Sequence, residues 1–362
     1  MGLKAQSAGP ETHGAGLRVG IRAPKETAMD AATSAPRKAT ARRLEPVAVA
    51  LVGPTACGKS AIAEEIAASG GAEIVNMDSA AVYKGMDVGT AKPSARDMAL
   101  TRHWLFDVAE PTERYGAAHF LRDAQSACAD IRSRGKIPLF CGGTMMYLKT
   151  MIDGLSELPE ASAAARARVA RLQKEKGTPG LRAMLERVDP EYAQRIEAND
   201  PQRTIRALES YLTTGAPFSR SLRENPPRPA FGVAVLAMAP SSKPWLHPRI
   251  ARRFDAMLQA GLIEETAELR RRLPDLRADM PSMRCVGYRQ VWEYLEGKID
   301  HAAMRANGMT ETRRLAKRQM TWLRKLPLDA VVDPVGKTPE QTLRECQNAY
   351  EKLAEGISRA LA

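Results

Sequence analysis

VAVALVGPTACGKS, from Val47 to Ser60, joins six apolar or small residues to a G-x-x-x-x-G-K-S loop. The apolar run has the length and composition of a buried strand, and the residues from Ser60 to Ser69 read as a helix. Strand, glycine-rich turn and helix in that order make a phosphate-binding loop. Its glycines let successive N–H groups point inward at an anion, and the helix start adds partial positive charge. Gly53, Pro54, Thr55, Ala56, Cys57, Gly58, Lys59 and Ser60 are therefore the candidate phosphate site. Lys59 would reach the terminal phosphates and the Ser60 hydroxyl would ligate Mg²⁺. At ordinary residue usage the pattern arises by chance at about 4 in 100,000 positions, or in about one chain of this length in a hundred. The loop itself leaves open whether the phosphate belongs to ATP, GTP or another diphosphate.

Outward from the loop, strands and helices alternate. A second apolar stretch, Glu73 to Asp78, ends in an aspartate that a parallel sheet would place at its C-terminal edge, where ligands bind. A glycine-rich, polar segment follows, DSAAVYKGMDVGTAKP from Asp78 to Pro93. Leu105 to Val108 is a short strand candidate. Gly116 to Ser133 reads as a helix, Ile137 to Cys141 as a buried strand, and Gly142-Gly143-Thr144 as a turn into a helix from Met145 to about Ile152. From Ser156 to about Pro229 the strand signal vanishes. Helices are predicted over Ala161–Lys176, Thr178–Val188, Asp189–Ile196 and Asp200–Thr213, the last two opened by Asp-Pro. Phe231 to Met238 resumes the strand pattern. A long helix is expected from Trp245 to Leu273, others through Leu295 and from Thr310 to Leu326, and a last strand over Ala330–Asp333. The expected fold is α/β: a P-loop-containing, doubly wound parallel sheet of about five strands with an inserted, mainly helical domain. The core would comprise residues 47–155 and 230–362, and the insertion residues 156–229.

The chain has 362 residues and 44% hydrophobic content, enough to bury a full core, and no apolar run approaches the length of a membrane span. Its five cysteines are scattered and unpaired in sequence, which points to free thiols in a reducing, cytoplasmic compartment and away from a zinc site. Residues Met1 to Pro46 read as a disordered extension rich in Gly, Ala, Pro, Ser and Thr; the alternative, a basic organellar transit peptide, is interrupted by Glu11, Glu26 and Asp30. The net charge is +12, of which this extension supplies +4, so the folded part keeps +8 and should attract polyanions. Two predicted helices concentrate the charge: Arg166, Arg168, Arg171, Lys174 and Lys176 on one, and Arg313, Arg314, Lys317, Arg318, Arg324 and Lys325, with Trp322 among them, on the other. One-sign charge costs self-repulsion, whereas arginines interleaved with an aromatic suit phosphate contact and base stacking.

Taken together, GPTACGKS, MDSAAVYKGMDVGTAKP, CGGTMMY, DPQRTIRALE, RIARRFDAML, RCVGYRQ and LAKRQMTWLRK, in this order between Val47 and Asp333, resemble the tRNA dimethylallyltransferase (tRNA isopentenyltransferase) family. The likeness is to the bacterial type, since no zinc-finger segment follows the last helices. It implies transfer of a dimethylallyl group from dimethylallyl diphosphate to the exocyclic amine of the adenosine 3′ of a tRNA anticodon, by a cytoplasmic, non-membrane, monomeric enzyme using Mg²⁺. The loop would then hold the leaving diphosphate, neutralised by Lys59, Mg²⁺ on Ser60, Thr144 and Arg253, while Asp78 serves as base.

By motif position the resemblance implies tRNA contacts at Asp78, Ser79, Ala80 and Ala81, at Thr144 and Arg166, and at Gln202, Arg203, Thr204, Ile205 and Arg206. It extends them to Arg284, Cys285, Val286, Gly287, Tyr288 and Arg289, and to Lys317, Arg318, Gln319, Met320, Thr321, Trp322, Leu323 and Arg324. Two positions depart from the pattern. Cys57 replaces a residue that is more often Ser, Ala or Gly, which would make the loop thiol-sensitive. Ala81 replaces a common Gln, which removes any base contact by that side chain. A nucleoside or metabolite kinase of the same fold would also use the loop and Asp78, but leaves the basic helices unexplained. A non-catalytic RNA-binding NTPase leaves Asp78 and the Gly-Gly-Thr turn without a role.

Overall fold

In the computed structural model, residues 43–361 are described. The expected extension falls on residues 1–46, so most of it lies outside the described residues. The fold begins slightly earlier than the sequence suggests, because Arg43 donates to the Val233 carbonyl and forms an ion pair with Asp329 at 3.0 Å.

Strand β1 (Pro46–Val52) feeds the loop and helix α1 (Lys59–Ala68), and β2 (Ala72–Asn76) follows. After a long loop come α2 (Ala95–Leu100), β3 (His103–Trp104), α3 (Ala117–Ser133), β4 (Ile137–Gly142) and α4 (Met145–Asp153). The helical segment contains α5 (Ala163–Val188), α6 (Pro190–Arg195), α7 (Pro201–Thr214) and α8 (Phe218–Glu224). The chain then returns through β5 (Gly232–Met238), α9 (Lys243–Gln259), α10 (Leu262–Arg272), α11 (Tyr288–Leu295), α12 (His301–Leu323), β6 (Ala330–Val332) and α13 (Pro339–Leu361).

The six strands form one all-parallel sheet in the order β3-β2-β4-β1-β5-β6. About five were expected; the sixth is the two-residue edge strand β3. Both faces are covered, which is why β1 and β5 read as continuous apolar runs. Ala48, Ala50 and Val52 face one core with Phe120, Phe140 and Leu148, while Val49 and Leu51 face the other with Ile62, Ile66 and Tyr350. The chain leaves β1 toward β2 and leaves β4 toward β5 on the opposite side. The switch point of the sheet therefore lies between the adjacent C-terminal ends of β1 and β4.

Three expected elements differ, among them the basic helix expected over Thr310–Leu326, which runs from His301 to Leu323. The strand placed at Leu105–Val108 is instead His103–Trp104, and Leu105 and Asp107 adopt left-handed backbone at φ 63° and 55°. Polar contacts pull that segment out of the sheet: Asn76 Nδ2 donates to the Leu105 carbonyl, and Lys92 binds the Asp107 carboxylate. The expected helix over Trp245–Leu273 is broken into α9 and α10 at Gly261, whose φ of 98° a glycine adopts without penalty.

Helices α5 to α8 bury a cluster of their own, built on Val169, Leu181, Leu185, Leu208 and Phe218. The buried Asp189 ties them together: it caps α6 through the Tyr192 N–H and accepts both the N–H and the hydroxyl of Ser219 at 2.7 Å. The segment departs and returns at one place. Leu155 pairs antiparallel with Arg228, and a Cβ on Gly154 would lie 2.2 Å from the Arg228 backbone.

Candidate active site

The loop after β1 is shaped by two left-handed residues, Ala56 at φ 64° and Gly58 at φ 101°. Gly58 is the N-cap of α1 and offers no side-chain cap, so the first-turn N–H groups of α1 stay free for an anion. Glycine is required at position 53 by space: an added Cβ would meet both Cys57 Sγ and the Met238 carbonyl at 2.8 Å. The same packing buries Cys57 almost completely, which corrects the expectation of a thiol-sensitive loop. The neighbouring Cys141 thiol, on β4, is pushed up to about 12 by burial, against the pull of the Lys59 charge.

Asp78 lies just past the end of β2. Its N–H is held by Asn76 Oδ1 at 2.9 Å, and its own Oδ1 accepts the Ala80 N–H at 2.9 Å, while Oδ2 has no hydrogen-bond partner among the described residues. The Gly-Gly-Thr turn after β4 sits against it. A Cβ on Gly142 would fall 2.1 Å from the Met77 carbonyl oxygen, so only glycine allows this approach. Thr144 accepts the Ser79 N–H at its hydroxyl, 2.9 Å away.

Helix α9 contributes two arginines one turn apart. Arg249 Nε donates to the Ala56 carbonyl at 2.9 Å, with its guanidinium stacked over Trp245, and so props the loop from below. Arg253 donates to the Thr90 carbonyl at 3.3 Å. Burial draws its guanidinium down from the usual arginine range, opposed by the nearby Asp78 carboxylate. The Thr90 segment is itself pinned. Glu265 on α10 accepts the N–H groups of Asp87, Val88 and Gly89, and the Tyr288 hydroxyl at 2.5 Å. Lys92, buried on the same segment, bonds the Tyr83 carbonyl and the Asp87 and Asp107 carboxylates. From sequence alone Arg249 stands out only as part of the motif RIARRFDAML, and neither Glu265 nor Lys92 is singled out. The spacing of Arg249 and Arg253 at i and i+4 was the available signal for the first; nothing local marked Glu265.

Two cavities meet here. One, of about 370 Å³, is lined by Thr55, Gly58, Lys59, Ser60, Asp78, Lys92 and Arg253 and is the phosphate side. The other, of about 450 Å³, is lined by Asp78, Ser79, Thr144, Arg253, Phe254, Arg284, Cys285, Arg318 and Trp322. They share Thr55, Asp78, Thr90, Arg253, Leu315 and Gln319, which form the aperture between them. Thr144 lines the second cavity only, so it stands on the far side of the aperture from Lys59.

A third, wider cavity of about 1830 Å³ runs between α3–α4 and the helical segment and includes Arg166 and Arg206. Exposed Met146 lines both it and the second cavity, so the two lie side by side.

The residues expected on RNA separate into two groups. Ser79, Ala80, Arg284, Cys285, Val286, Arg318 and Trp322 line the second cavity. Lys317, Thr321, Arg324, Gln202 and Arg203 are exposed, and Arg203 pairs with Asp200. The other group is turned inward. Thr204, Gly287, Tyr288 and Leu323 are buried, which corrects their expected side-chain contact with RNA, since packing and internal hydrogen bonds already use them; Gln319 is buried and hydrogen-bonded too, yet lines both cavities. Ala81 is buried too and lines the phosphate-side cavity, Ile205 and Met320 pack against hydrophobic clusters, and Arg289 lies 3.7 Å from Glu311.

For Mg²⁺ the donor set is lean. Among the described residues no cluster of three or more His, Cys, Asp or Glu side chains placed to hold a metal is present, and Ser60, Glu64 and Asp78 supply oxygens to the phosphate-side cavity. That fits an ion that keeps waters and takes its other ligands from substrate phosphates.

The sequence profile of the IPP transferase family matches residues 81–326. A tRNA dimethylallyltransferase of Neisseria meningitidis serogroup C is 50% identical over 290 residues, 80% of this chain and 93% of that one. The tRNA isopentenylpyrophosphate transferase of Bacillus halodurans superposes with a TM-score of 0.62 at 30% identity, over 87% of this chain and 99% of that one. A eukaryotic dimethylallyltransferase, captured acting on tRNA, shares the fold at a TM-score of 0.70 and 23% identity, over 84% of this chain and 79% of that one.

Proposed function

The chain belongs to the IPP transferase family, and from that premise we propose that it is a tRNA dimethylallyltransferase. Its donor is dimethylallyl diphosphate and its acceptor the exocyclic amine of the adenosine 3′ of the anticodon. The observation that carries this reading is the aperture: a cationic phosphate cavity and a separate, RNA-facing cavity meet at Asp78 and Arg253. An enzyme that moves a group from a diphosphate to a macromolecular amine needs that division.

In this reading the diphosphate lies on the loop N–H groups and Lys59, with Arg253 at the bridging oxygen. The amine enters from the second cavity and forms a bond to the allylic carbon as the carbon–oxygen bond breaks. The electron pair leaves with diphosphate, whose developing charge the loop, Lys59 and Arg253 stabilise. Asp78 Oδ2 accepts the proton that the amine loses. Thr144 acts on the amine side, holding Ser79 and with it the Asp78 turn. When bound at Ser60, Mg²⁺ would add charge neutralisation to the leaving diphosphate. The basic face of α12 and the wide cavity beside the helical segment suit an anticodon stem-loop with splayed bases. The enzyme would work as a cytoplasmic monomer, and its five free cysteines suit that reducing compartment. Among the described residues no helix is long and apolar enough to cross a membrane.

Purified protein incubated with Mg²⁺, labelled dimethylallyl diphosphate and bulk unmodified tRNA should transfer label to RNA. Label that stays off RNA while ATP is hydrolysed would replace this reading with a kinase or NTPase.

A further inference from the structure

Gln319 belongs to the aperture but has no assigned chemistry. It sits on α12, one residue from Arg318 and one turn before Leu323, and only 7% of it is exposed. Both ends of its amide are used. Oε1 accepts the Thr55 N–H at 2.8 Å, and Nε2 donates to the Gly143 carbonyl at 2.9 Å. Thr55 lies in the loop after β1 and Gly143 in the turn after β4, the two strand ends that flank the switch point of the sheet. A Cβ on Gly143 would come within 2.3 Å of Nε2, so the amide rests directly on that turn.

One neutral side chain therefore spans the gap between the diphosphate loop and the turn that carries Thr144. Few residues could replace it. Asparagine is one methylene too short, glutamate cannot donate to a carbonyl, and a longer cationic side chain cannot accept the Thr55 N–H. The Thr55 N–H is committed to this bond, so phosphate contacts in the loop fall to its other N–H groups. The Gly143 end is continuous with Thr144, whose hydroxyl holds Ser79 beside Asp78.

We propose that Gln319 is a positioning residue for prenyl transfer, fixing the separation between the leaving diphosphate and the base that receives the amine proton. The proposal rests on the reading of the chain as a prenyltransferase. It acts through geometry: a misplacement of about 1 Å between reacting groups is enough to cost about 100-fold in rate.

The test compares wild type with Gln319→Met, which keeps the volume and removes both hydrogen bonds, and with Gln319→Glu, which keeps the acceptor and loses the donor. Steady-state kinetics use dimethylallyl diphosphate and one unmodified tRNA. The expected result is a fall in kcat of about 100-fold for Gln319→Met, with KM for tRNA within about threefold of wild type. The expected result for Gln319→Glu is also a reduced kcat. A normal kcat with a raised KM for tRNA would make Gln319 an RNA contact and overturn the proposal. Wild-type kinetics in Gln319→Met, with only a lowered Tm, would reduce it to packing and overturn it equally. A measurement on the wild-type protein alone keeps the bridge testable even where a variant does not fold. The Thr55 amide should exchange slowly with solvent deuterium in the absence of substrates, and free exchange would remove the bridge. Failure of the underlying activity is separable, because wild-type protein would then transfer no label while Thr55 protection would still report on the bond.

Discussion

In the proposed reaction Asp78 and Arg253 carry the chemistry at the scale of single residues, and their surroundings give each a separate signature. Asp78 has one oxygen committed to the Ala80 N–H and the other free, and it stands between two cavities. Asp78→Ala should lower kcat by about 100-fold or more while tRNA binding, followed by filter retention, changes little; near wild-type turnover would remove Asp78 from the mechanism. In the proposed reaction Arg253 faces the leaving diphosphate, so Arg253→Ala, which deletes a half-buried charge lining the phosphate-side cavity, should weaken the transition state by about 3 kcal/mol. Single-turnover rates at saturating substrates measure that effect, and unchanged rates would return Arg253 to an ordinary loop-bracing role through Thr90. Much at this scale was legible in sequence. The loop glycines, Lys59, Ser60, Asp78 and the Gly-Gly-Thr turn each sit where local backbone chemistry dictates their type. What was not legible depends on partners far along the chain: Glu265 meets Asp87 to Gly89, and Gln319 meets Thr55, only after folding.

Helices show the same division between local and distant causes. The Asp-Pro starts of α6 and α7 and the glycine break at Gly177 in α5 follow from residue type alone. The exposed and buried faces of α12 do not, because its charges surround residues such as Gln319 and Leu323 that pack inward. Reading the helix as one RNA-facing run therefore assigned too many contacts to it. Within the helical segment the buried Asp189 holds α5, α6 and α8 in register. Asp189→Ala removes a cap and two hydrogen bonds to a carboxylate, and should destabilise that segment by about 3 kcal/mol. Limited proteolysis should then cut between residues 163 and 224 first, while the sheet stays intact and KM for tRNA rises. Cleavage spread evenly over the chain would show that the segment has no stability of its own.

For the whole molecule, the question is where the affinity for RNA resides. Residues 1–42 carry part of the excess positive charge, but specific RNA recognition needs a fixed surface that splays and stacks bases. Deleting residues 1–42 should therefore keep most of the tRNA affinity. Neutralising Arg318 and Arg324 should lower it and flatten its salt dependence, by roughly 0.7 to 0.9 log–log units for each phosphate that the protein no longer neutralises. Titrations of the three proteins against one tRNA at several salt concentrations decide between them; affinity abolished by truncation, with a normal slope in the double variant, would place the site elsewhere. The parallel sheet also bears on the order of assembly. Val52, at the mouth of the phosphate loop, pairs on one side with Gly142 and on the other with Ala237. Closing such distant pairs is entropically slow, and β5 emerges from synthesis only after the entire helical segment. The most local motif in the sequence is thus expected to reach its working shape late, once the far half of the chain has arrived to brace it.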